Sequence, residues 1–95
     1  MADIDRETFP QRVVENGAYL DFARRIIRRA GERIGESDPW ALADLVSLRA
    51  DLDNAIATGV AGLRTEGYSW ADIARPLGIT RQSAQQAYGR KGGAR

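Results

Sequence analysis

Near the end of the chain, Arg81, Gln82, Ser83, Gln85 and Gln86 form a short run of polar side chains broken by Ala84. An arginine fork can bond both acceptors on the major-groove edge of guanine. A glutamine amide can donate and accept at once on adenine. Held on the outer side of one short helix, these residue types suit the reading of base edges in double-stranded DNA.

Such a helix must be held clear of the body, and the preceding residues have the types needed for that. Ser69 suits an N-cap, with Asp72 at the third helical position, an acidic variant of the capping box. A short helix is expected from Trp70 to about Leu77, a turn at Gly78-Ile79, and a last helix from Arg81 to about Tyr88 capped by Thr80 and closed by Gly89. Two short helices crossing steeply need a small residue where one presses on the other, and Ala74 fits. The turn needs a residue tolerant of positive φ, and Gly78 fits. Ile73, Leu77, Ile79, Ala84 and Ala87 are expected to face inward. Tyr68 and Trp70 read more readily as core than as base-stacking groups.

The run from Gly67 to Gln82, GYSWADIARPLGITRQ, resembles the helix-turn-helix of phage repressors and of the last domain of bacterial sigma factors. It looks closest to small helix-turn-helix DNA-binding proteins of actinobacteria and their mobile elements, in which this pattern follows a long leucine-rich helix. Thirteen arginines against one lysine fit a GC-rich coding genome. By this resemblance Arg81, Gln82 and Gln86 fall where bases are contacted. Thr80, Gln85 and Trp70 fall where phosphates are met, and Ser69, Arg75, Arg90 and Lys91 complete the expected phosphate contacts. Two departures stand out. Pro76 occupies a place where alanine is expected and removes a hydrogen bond to the Asp72 carbonyl. Ala84 is smaller than the valine or isoleucine expected there.

Upstream, two long helices are expected. The first starts near Phe9-Pro10, and Val13, Val14, Tyr19, Leu20, Ala23, Ile26, Ile27, Ala30 and Ile34 recur at amphipathic spacing. Gly17 is expected to split it and Gly35 to end it. Asp38-Pro39 is a start signal for the second helix, which runs to about Glu66. Its spine is Leu42, Leu45, Leu48, Leu52, Ile56, Val60 and Leu63, with steps of 3, 3, 4, 4, 4 and 3 residues, close to the coiled-coil period. Ala55, Gly59 and Gly62 make a small-residue stripe that would let another helix approach, or else mark a bend. Trp40 is expected to pack at the turn. The fold class expected is all-α, with four to five helices: a long antiparallel helical hairpin followed by a C-terminal helix-turn-helix. Residues 1–54 would be the helical support and dimerisation region, 55–89 the DNA-binding unit, and 90–95 a flexible basic tail able to add weak attraction or to enter a minor groove.

Charge divides along the chain. Residues 1–66 carry nine arginines against twelve acids, and residues 67–95 carry five basic residues against Asp72 alone. The positive end should face a polyanion. Arg24, Arg25, Arg28, Arg29 and Arg33 form a further cluster, expected to pair with Asp44, Asp51 and Asp53 or else to offer a second phosphate-binding surface. The chain has no histidine and no cysteine, so the usual zinc ligands and the commonest general base are missing. No nucleophile with a base and no phosphate loop is seen, so no enzyme activity, cofactor or metal is expected. No apolar run is long enough for a bilayer, and the acidic start is unlike a signal peptide. A soluble, cytoplasmic protein is expected, nucleoid-associated when bound. Its expected role is sequence-specific DNA binding as a homodimeric transcriptional regulator, with double-stranded DNA as partner and no small-molecule substrate. The alternative is a non-catalytic protein-interaction module, adaptor or antitoxin-like, using the helical hairpin.

Overall fold

The computed structural model describes residues 5–89, with side chains described from Glu15 onward. Among these residues all regular structure is helical. In order come α1 (Asp5–Ser37), α2 (Ala41–Thr65), α3 (Trp70–Leu77) and α4 (Arg81–Ala84), and a π-helical turn (Gln85–Gly89) continues α4. The order is the expected one: two long helices joined by a short turn, then a pair of short helices. The chain forms two compact units that divide between Val46 and Ser47, inside α2.

In the first unit, α1 runs without a break through Gly17 and past Gly35, contrary to the expected split and stop. A single glycine costs a helix only about 1 kcal/mol. The flanking alanines, arginines and isoleucines carry the ladder across both positions. The breaker is Pro39, which disfavours helical backbone at the residue before it. The last regular bond of α1 runs from the Asp38 N–H to the Ile34 carbonyl at 2.9 Å. Asp38 then caps α2, its Oδ1 accepting the Ala41 N–H at 3.2 Å. Trp40 does not pack at this turn; it is 87% exposed.

Two arginines of the α1 cluster pair along their own helix. Arg24 pairs with Asp21, and Arg29 with Glu32 at 3.3 Å, both within the same helix at i,i+3 spacing. Arg25 lies 5.9 Å from the centre of the Phe22 ring. Residues three apart on a helix are already neighbours, so these pairs need no second element. Such exposed pairs contribute little to stability.

In the second unit, α2 ends on two bonds of a Schellman motif. The Gly67 N–H donates to the Arg64 carbonyl and the Tyr68 N–H to the Leu63 carbonyl, both at 3.0 Å. Gly67 sits at φ +102, where a side chain would be strained. The same device ends α3. The Gly78 N–H donates to Arg75 at 3.1 Å and the Ile79 N–H to Ala74 at 3.3 Å, with Gly78 at φ +70. The helix carries Pro76 in its last turn and still reaches Leu77.

The core of this unit is small. Ile73 and Ala74 of α3, Ala84 of α4 and Val60 of α2 are buried, and Ala84 has no accessible surface. Leu77, Ile79 and Ala87, expected inside, are exposed. The π turn explains Ala87. Its longer loops advance each residue by a smaller angle than an α-helix does, so position 87 lags behind the face that Ala84 presents. Gly59 and Gly62 have nothing within 4 Å of where a Cβ would stand. The spine of α2 is largely open: Leu42, Leu48, Leu52, Ile56 and Leu63 are all exposed.

Replacing Ala84 with leucine forces extra volume into a site that has none. The expected loss is about 1–3 kcal/mol, read as a lower midpoint in urea unfolding. An unchanged midpoint would show slack at the crossing.

Candidate nucleic-acid interface

Two caps set the two short helices. At α3 the full capping box is present: the Asp72 N–H donates to Ser69 Oγ at 3.0 Å and the Ser69 N–H donates to Asp72 Oδ2 at 2.9 Å. At α4 the Ser83 N–H donates to Thr80 Oγ1 at 3.0 Å, and the Thr80 hydroxyl donates to Ser83 Oγ at 2.9 Å. The polar groups of Ser69 and Thr80 thus first satisfy the ends of their own helices.

The Asp72 carboxyl is held below its ordinary value. The Ser69 N–H is the main cause, followed by the Ser69 hydroxyl and the positive charge of Arg75. Arg75 Nη1 lies 3.6 Å from Asp72 Oδ1 and its side chain stays largely open to solvent.

Ala84 is fully buried, and at about 100° of rotation per residue Gln82 leaves α4 on the side away from Ala84. Arg81, Gln82, Ser83, Gln85 and Gln86 are all exposed. The regular helix is shorter than expected, ending at Ala84, and Gln85 to Gly89 form the π turn. π turns of this kind recur at functional sites.

Along one flank of the segment lies an open groove of about 900 Å3. Gln82, Gln85 and Gln86 form one wall, Val60, Ala61 and Arg64 of α2 the other, and Trp70 and Tyr88 also line it. Arg64 is the residue that sequence reasoning missed. Its guanidinium sits 4.8 Å from the centre of the Trp70 ring, and Nη1 donates to the Tyr68 carbonyl at 3.0 Å. It therefore ties the end of α2 to the start of α3 by a cation–π contact and a charge-assisted hydrogen bond. No local spacing announces this pair, because the Schellman turn at Gly67 brings it together. Trp70 is half-buried as a result, whereas Tyr68 is 40% exposed and stands at the margin of the core.

The structure thus brings Ser69, Trp70, Arg75, Thr80, Arg81, Gln82, Gln85 and Gln86 into one unit. Arg90 and Lys91, with the rest of the basic tail, lie outside the described residues. Among the described residues no group of acidic side chains is arranged to hold a metal. No helix of the described residues is long and apolar enough to cross a membrane. Comparison with protein-family models, curated proteins and solved structures finds no match.

Asp72→Asn keeps the size of the side chain and removes its charge. A carboxyl whose value is lowered only in the folded chain stabilises the fold above its ordinary range near 3.8. That contribution disappears as the pH falls through the lowered folded value. Thermal midpoints of wild type and Asp72→Asn should therefore differ most near neutral pH and converge in acid. A gap independent of pH would rule out a role for the charge.

Proposed function

We propose that this chain binds double-stranded DNA in a sequence-specific manner, as a small transcriptional regulator that offers residues 81–88 to the major groove. The observation that carries the reading is the exposure of Gln82 and Gln86 on the segment whose Ala84 is fully buried. An exposed set of amides and one guanidinium has the chemistry of base-edge recognition. The resemblance of Gly67–Gln82 to repressor and sigma-factor helix-turn-helices supports the same reading.

In this proposal Arg81, Gln82 and Gln86 contact bases. Ser69, Trp70, Arg75, Thr80 and Gln85 contact the sugar–phosphate backbone, with Arg90 and Lys91 adding sequence-independent attraction. One short reading segment offers few base contacts. Two copies of the chain reading half-sites about 34 Å apart, or a multiple of that, would supply the remainder. The protein then acts in the cytoplasm, on the nucleoid. The positive balance of residues 67–95 orients that end toward the duplex, and the acidic balance of the remainder keeps the other end away.

Random-site selection with purified protein tests the proposal directly. An enriched motif is expected, and an absence of any preferred sequence would favour the protein-interaction module instead. On the selected site, Gln82→Ala or Gln86→Ala should each weaken binding by about 1–3 kcal/mol and relax the preference at one base pair. Equal losses on all sequences would contradict base reading. Arg75→Ala should lower the slope of log affinity against log salt by about one unit. An unchanged slope would remove Arg75 from the interface.

A further inference from the structure

We infer that Arg64 and Gly89 are positioning residues for base reading: both bear on the Trp70 indole, and the indole sets where Gln86 stands. This rests on the DNA reading above and names the contacts that fix one of its base-reading side chains.

The reading segment is held firmly at its start and lightly at its end. Thr80 caps the first turn, and Ala84 is fully buried. Beyond Ala84 no described residue is buried; Tyr88 and Gly89 are half-buried. Gln86 belongs to this second part, the wide turn from Gln85 to Gly89. A single π turn does not hold its shape alone, so a contact from outside must fix its far end. Trp70 is in place to do so. Its Cζ2 atom lies 3.3 Å, and its Cη2 atom 3.8 Å, from where a Cβ on Gly89 would stand. The Cγ of Gln85 lies 3.3 Å from the same point. Gly89 is outside the left-handed region, so the demand for glycine there comes from contact and not from backbone freedom. Without a side chain, the turn closes down on the benzo edge of the indole.

The indole is fixed in turn from α2. The Arg64 guanidinium lies over the ring, 4.8 Å from its centre, and also donates to the Tyr68 carbonyl at 3.0 Å. A stacked and hydrogen-bonded guanidinium restricts how the ring can tilt. Arg64, Trp70 and Gly89 all belong to the second compact unit, so this series of contacts is complete within it. Arg81 and Gln82 lie before Ala84 and take their place from the Thr80 cap and the crossing with α3. The contacts therefore separate the base pair read by Gln86 from the one read by Gln82.

Two readouts on the full chain test this, one of them without DNA. In the free protein, Arg64→Gln and Gly89→Ala should each move the amide NMR shifts of residues 85–88, leave those of residues 81–83 in place, and keep the helical circular dichroism. In a Trp70→Phe background, whose smaller ring lacks the atoms nearest position 89, Gly89→Ala should have little further effect on the shifts. On the selected DNA site, Arg64→Gln and Gly89→Ala should each cut the preference at the base pair that Gln86→Ala relaxes by about fivefold or more. The preference at the Gln82 base pair and the salt slope should stay as in wild type. Arg64→Lys keeps a cation that can lie on the ring and donate to Tyr68, and should regain part of the preference. A salt slope lowered by about one unit in Arg64→Gln would make Arg64 a phosphate contact and overturn the inference. So would equal losses at both base pairs, or a Gly89→Ala effect that persists in full beside Trp70→Phe, which would lay the constraint on Gln85. The two readings fail separately. A chain that selects no motif sinks the DNA reading, while the free-protein shifts still decide whether Trp70 places the turn. A selected motif whose Gln86 base pair is untouched by Gly89→Ala sinks this inference alone.

Discussion

Everything that gives this chain a working face depends on the contact of α3 with α4, where Ala74 and Ala84 are all but sealed from solvent. Neither helix could persist alone. One has eight residues and the other four, well below the length at which an isolated helix is stable in water. Alanine at both positions lets the backbones approach, and Gly78 in the left-handed region turns the chain sharply enough to bring them together. The caps finish the work: Ser69 with Asp72, Thr80 with Ser83, and the paired carbonyl bonds at Gly67 and Gly78 leave few helix ends unsatisfied. The same crossing leaves Gln82, Gln85 and Gln86 exposed along the groove that they line with Val60, Ala61 and Arg64.

A second tie, between Arg64 and Trp70, joins this small unit to the end of the long helix. It matters because so little apolar surface is buried. With four buried hydrophobic residues among those described, one stacked guanidinium with a carbonyl to bond is a considerable share of the cohesion. Beyond Ala84 the chain takes the wider turn at Gln85–Gly89, and Gln85, Gln86 and Tyr88 line the groove there.

The long helices present the opposite situation, with ample apolar surface and little of it covered. α1 and α2 keep large apolar side chains exposed, Tyr19, Ile26 and Ile27 on the first and Leu48, Leu52, Ile56 and Leu63 on the second. Hydrophobic burial is the main favourable term in folding and association. Exposed side chains of this size leave that term largely unused on both helices.

Much of this was legible in the residues themselves. The start of α2 at Asp38-Pro39, its end at Gly67, the capping box at Ser69, the turn at Gly78 and the burial of Ile73, Ala74 and Ala84 all follow from local chemistry, because caps, prolines and positive-φ glycines act over a few residues. The readings that failed were of another kind. Gly17 and Gly35 were expected to interrupt a helix whose many other bonds outweigh them. Trp40, Leu77, Ile79 and Ala87 were expected inside because apolar residues usually are, yet burial requires a surface on the other side, and pattern alone cannot supply one. Arg24 and Arg29 of α1 find acids one turn away on their own helix. Arg64 over Trp70 and the groove beside Gln82 exist only once the turn at Gly67 has folded the chain back. Local order was thus set by the order of residue types, while coverage, pairing and cavity were decided by which surfaces meet in space.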